Sequence, residues 1–109
     1  MNAPSTDRDI LTVVHDTLAS AYRRQVLRYL VAGEGDVASV EDLVDELIDH
    51  DETAEDRRRV AVKLRHATLP KLAARAFIEY DERSRTVRYR ESPALERELS
   101  RSEDETVVA

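Results

Sequence analysis

Apolar residues recur at helical spacing over the first two thirds of the chain and alternate with polar ones over a short stretch after it. From Asp9 the set Ile10, Val14 and Leu18, flanked by Leu11 and Val13, predicts a first helix of about three turns. Ser20 is placed to cap a second helix from Ala21 to about Ala32, with Tyr22, Val26, Tyr29 and Leu30 on one face. Gly33 and Gly35 are expected to stop it through their φ freedom. After the extended link Val37-Ala38, Ser39 opens a third helix, with Asp42 in a weaker version of the capping box. Its Val40, Leu43, Val44, Leu47 and Ile48 make one apolar stripe opposite a strongly acidic face.

Thr53 can cap a fourth helix, with Glu55 and Asp56 in the first turn, where the helix dipole favours anions. On the regular helical period Val60, Ala61, Leu64, Ala67, Thr68 and Leu72 share a face. Val62, Leu69 and Ala73 then form a second apolar line, so this helix is expected to pack on two sides or to meet a partner. Pro70, which lacks an N–H, is expected to kink it. Residues 77–80 and 86–90 read as two strands joined by the loop 81–85, with Val87 and Tyr89 facing inward and Arg88 and Arg90 outward. Ser92-Pro93 opens a last helix carrying Leu95 and Leu99.

These elements predict a mainly α fold with a small β-hairpin, an α+β class, in one domain over residues 9–101. Residues 1–8 read as a flexible tail and 102–109 as an acidic one.

Charge changes the picture. The net charge is −6, from 23 acidic and 17 basic side chains, and only Lys63 and Lys71 among the latter are lysine. An acidic, arginine-rich surface suits a cytoplasm of molar salt, where a Debye length of about 3 Å screens self-repulsion. The charge is also segregated: residues 34–56 hold 11 acids and no base, and residues 57–90 hold 11 bases and 3 acids.

The absence of Cys excludes disulfides and thiolate metal sites. Asp7, Asp9 and Asp16 stand where a signal peptide would be basic and then apolar, and no apolar run is long enough for a membrane span, so a cytoplasmic location is expected. His15, His50 and His66 have no His or Cys partner at helical spacing, and Asp49 to Glu52 are consecutive, so no metal site is expected. With no Gly-rich phosphate loop, no nucleophile motif and no evident cofactor site, the chain is read as a non-enzyme.

The order helix, helix, short strand, helix, helix, hairpin, together with the runs from Ala21 to Leu30, Ser39 to Leu47, Leu69 to Asp81 and Thr86 to Tyr89, resembles a family of small haloarchaeal winged helix-turn-helix proteins catalogued as a domain of unknown function. The resemblance covers about Ile10 to Leu99. It implies a transcriptional regulator that binds double-stranded DNA through the fourth helix and the hairpin wing. The candidate contacts are Arg57, Arg58, Arg59, Lys63, Arg65, His66, Lys71 and Arg75 on the helix and Arg83, Arg85, Arg88 and Arg90 on the wing. Two features depart from the family: Ala76 replaces the usual Gly before the wing, so another backbone geometry is expected there, and the stretch from Asp49 to Asp56 exceeds a tight helix-turn-helix connection.

The surplus of apolar residues in the terminal helices makes Ile10, Leu11, Val14, Leu18, Leu95 and Leu99 the candidate interface of a homodimer, which would present two basic helices to symmetric half-sites. The alternative is a winged-helix interaction module that does not touch DNA, its basic residues pairing with the acidic third helix or with a neighbour.

Overall fold

The computed structural model of the chain describes residues 3–34, 36–48 and 51–108, with side chains described for 9–34, 36–48 and 51–101. Its elements run α1 (Ala3–Thr17), α2 (Ala21–Ala32), β1 (Ala38–Ser39), α3 (Val40–Leu47), α4 (Ala54–Lys63), a π turn (Leu64–Thr68), α5 (Leu69–Ala74), β2 (Ile78–Asp81), β3 (Thr86–Tyr89) and α6 (Pro93–Val108).

Helix starts fall where the sequence supplies an acceptor for orphan N–H groups. The Ser20 hydroxyl accepts from the Arg23 N–H at 3.2 Å. Ser39 with Asp42 and Thr53 with Asp56 each form a complete reciprocal capping box. The Ser92 hydroxyl accepts from the Leu95 N–H at 3.3 Å at the head of α6. Stops are less literal. Gly33 keeps an ordinary right-handed φ of −75°, and the left-handed turn falls instead on Glu34, φ 56°; Gly35 lies outside the described residues. Helical backbone also extends over most of both stretches read as tails, from Ala3 and as far as Val108. A helix can outrun its apolar stripe because each added residue adds a hydrogen bond.

The hairpin gains a third strand. Ala38 and Ser39 of the link pair antiparallel with Val87 and Thr86, giving the order β1-β3-β2. The Val40 N–H donates to the Arg85 carbonyl at 3.0 Å, which ties the head of α3 to the end of the hairpin loop. Inward Ile78, Val87 and Tyr89 then meet Val26, Leu27 and Leu30 of α2 and Leu43 of α3 in a single core.

The terminal helices close that core from the other side. Val14 of α1, Leu18 just past its end, and Leu95 and Leu99 of α6 are all buried in it, so four of the six residues expected to face a partner lie within the chain's own core. The physical reason is that α1 and α6 pack on each other, an arrangement that His15 and Glu98 mark with a 3.4 Å contact at its edge. Only Ile10 and Leu11 of that set remain outward, 45% and 39% exposed, beside Val13.

Pro70 starts no detached helix. The backbone stays helical from Ala54 to Ala74, and the missing N–H is absorbed by the π turn, in which Leu69 donates to Leu64 five residues back. The wider turn delays each later side chain around the axis. Leu69 therefore swings into the core, at 0% exposure, and Ala67 swings out of it. Buried or half-buried Val60, Leu64, Thr68 and Leu72 now follow one another at intervals of four, and the second apolar line expected from a regular period does not form.

Candidate nucleic-acid interface

The same spacing organises the solvent side of this helix. Arg58 and Arg59, Val62 and Lys63, His66 and Ala67, Pro70 and Lys71 are exposed in successive pairs, so they form one outward row through the π turn. Val62 is 46% exposed in the middle of it. Lys63 lies 4.2 Å from the centroid of the Tyr22 ring on α2, a cation–π contact that steadies the side chain and leaves its charge available.

Three of the arginines expected from sequence to be phosphate contacts tie the helix to other parts of the chain, each to a different neighbour. Arg57 donates to the Asp45 carboxylate of α3 at 2.8 Å. Arg65, on the π turn, donates through Nε and Nη2 to Glu82 Oε2 in the hairpin loop, at 3.1 and 2.6 Å. Arg75, just past α5, donates to Thr17 Oγ1 at 2.6 Å and to Asp16 Oδ2 at 2.7 Å, both at the end of α1. Arg59 makes a looser 3.7 Å pair with Asp56 one turn back.

The local electrostatics follow these contacts. Hydrogen bonds from Tyr80 and then Arg65 hold the Glu82 carboxyl below its ordinary range, and Arg75 does the same for Asp16. Burial, and then the neighbouring Glu82 carboxylate, push the Tyr80 phenol up. Both carboxylates are therefore charged partners at neutral pH.

Of the remaining candidates, Arg58, His66, Lys71, Arg83, Arg85, Arg88 and Arg90 are exposed and make no ion pair among the described residues. They do not all share a surface. Arg83 and Arg85 flank Ser84 in the loop that Glu82 joins to Arg65 of the π turn. His66 is close enough for its field to act on Glu82. Arg88 belongs to the outer face of the sheet, directly opposite Glu79 on β2. Lys71 lies within the field of Asp16, at the other end of the helix. Arg58, Arg59, Lys63 and His66 thus share one exposed row of the helix, and Arg83 and Arg85 stand in the loop that Glu82 ties to that helix at Arg65.

Sequence reasoning missed the anchoring role of α2. Arg23 donates to the Thr17 and Asp16 carbonyls at 2.8 and 2.9 Å, and Arg24 to the Leu18 carbonyl at 2.6 Å. These side chains satisfy the free carbonyls at the end of α1. The signal was present in two adjacent arginines that begin a helix right after another one ends. Among the described residues no three His, Asp or Glu side chains converge as metal ligands; Asp49 and His50 lie outside them. No helix among the described residues is long and apolar enough to cross a membrane.

A family profile described as a domain of unknown function (DUF7344) matches residues 15–88. The chain belongs to this family. The matched span runs from within α1 to within β3, so it covers most of the core and leaves out α6 with its buried Leu95 and Leu99. No curated protein and no solved structure matches the chain.

Proposed function

We propose that this member of the DUF7344 family is a winged helix-turn-helix protein that binds duplex DNA as a transcriptional regulator, and is not an enzyme. In this reading α2, α3 and the α4–α5 helix are the three helices of the motif, β1 is its short strand and β2–β3 the wing. The observation that carries it is the outward row Arg58, Arg59, Lys63 and His66, with Arg83 and Arg85 in the loop that Glu82 ties to the same helix at Arg65. Such a row would lie along a groove while the loop reaches the adjoining backbone, with arginine forks supplying directed phosphate hydrogen bonds.

The composition, with its acidic excess and only two lysines, supports a cytoplasm of molar salt and a haloarchaeal source. Counterion release contributes little there, since affinity falls with salt at a log–log slope of about −0.9 per neutralised phosphate. Fit and directed hydrogen bonds carry the binding. A homodimer through the outward Ile10, Leu11 and Val13 of α1 would place two such rows on symmetric half-sites.

The test is selection of bound duplexes from random-sequence DNA in about 2 M KCl, with Arg58→Glu/Lys63→Glu as the comparison. The wild type should enrich a sequence set that the variant does not, and equal enrichment by both would reject DNA binding. A second reading, an interaction module without DNA contact, draws on the use of Arg57, Arg65 and Arg75 as internal anchors. It predicts that equal outcome.

A further inference from the structure

An acid stands among the basic residues of the hairpin loop. Glu82 occupies the hairpin loop next to Arg83, and both of its oxygens are engaged: Oε2 by Arg65 Nε and Nη2, at 3.1 and 2.6 Å, and Oε1 by the Tyr80 hydroxyl. One carboxylate thus joins a half-buried residue of the π turn to a half-buried residue of β2. The loop is held a second time from the other side, where the Arg85 carbonyl accepts from the Val40 N–H at 3.0 Å, and Asp81 fixes its start by accepting from the Arg83 N–H at 3.0 Å. Arg83 and Arg85 therefore project from a loop attached at both ends.

We propose that Glu82 and Arg65 form a latch that presets the wing against the α4–α5 helix, so that Glu82 raises affinity for duplex DNA although its charge opposes it. The proposal rests on the DNA-binding reading above and assigns Arg65 and Glu82 as positioning residues. A loop fixed before binding loses less conformational freedom when it meets a phosphate backbone. Simple electrostatics predicts the opposite sign, because removing an acid from a DNA-facing surface strengthens its attraction for phosphate.

Glu79 supplies the control. It is an exposed acid on the same hairpin, opposite Arg88, and its side chain makes no hydrogen bond or ion pair among the described residues. The experiment measures duplex affinity of the full chain by fluorescence anisotropy at several KCl concentrations. It also measures amide hydrogen exchange of residues 82–85 in the free protein, for wild type, Glu82→Ala, Glu79→Ala and Arg65→Lys. We expect Glu82→Ala to bind about three- to tenfold more weakly and its loop amides to exchange faster, with Arg65→Lys shifted the same way. Glu79→Ala should bind as tightly as wild type or more tightly, with loop exchange unchanged.

The latch is overturned if Glu82→Ala binds as well as Glu79→Ala, or if its affinity falls while loop exchange stays at the wild-type rate. A wild type that binds no duplex overturns the DNA reading and this role together, whereas a wild type that binds alongside an unaffected Glu82→Ala overturns the latch alone.

Discussion

Ala76 leaves α5 with a φ of 65°, the left-handed region in which a Cβ crowds the following carbonyl. The geometry is the one a glycine would supply, so the expectation that alanine would force a different turn is corrected: the chain keeps the turn and carries the strain. The surroundings over-determine it, since the Ala76 N–H donates to the Ala73 carbonyl and the Phe77 N–H to the Leu72 carbonyl. Ala76→Gly should therefore stabilise the protein by about 0.5–1 kcal/mol, the relief of strain less the added backbone entropy of glycine. A rise in urea midpoint at unchanged slope is the signature to look for. A loss of stability would mean that the positive φ is not held in solution.

At the level of the element, the π turn decides which residues of the α4–α5 helix are core. Leu69→Ala should cost about 2–5 kcal/mol, as a truncation at a fully buried site does. Val62→Ala should stay within about 0.5 kcal/mol, because Val62 is on the outward row. On a regular helical period these two residues share one line and would respond alike. Chemical denaturation of the pair thus measures the phase of the helix, and with it the aim of Arg58, Lys63 and His66. The anchors that hold that aim, Asp45, Glu82 and Asp16 with Thr17, lie on three separate elements.

Across the whole molecule, α1 and α6 complete the core that the other elements begin. Leu95→Ala should destabilise by about 2–5 kcal/mol, equally at low and high protein concentration. A penalty that shrank on dilution would instead assign Leu95 to a contact between copies. Acid should act through the anchors. Asp16, Asp56 and Glu82 titrate below their ordinary values of 3.8, 3.8 and 4.5 in the folded chain, so the unfolded chain binds protons first as pH falls. Their contribution is present in full above those ordinary values and is lost as pH falls through the lowered ones. The urea midpoint should decline from about pH 5 to about pH 3, and less steeply in Asp16→Asn and Glu82→Gln.

What the sequence determined by itself was everything that depends on near neighbours along the chain. Ser20, Ser39, Thr53 and Ser92 mark helix starts because a cap reaches only two or three residues ahead. The alternation through Val87 and Tyr89 marks a strand because pleating has a period of two. Only the tertiary structure decided how each arginine is used, because Arg57, Arg65 and Arg75 have the composition of phosphate ligands and differ only in which carboxylate the fold brings beside them. It also decided the fate of the terminal helices: an apolar stripe such as Val14 and Leu18 asks to be covered and does not specify by what, and here the cover is α6 of the same chain.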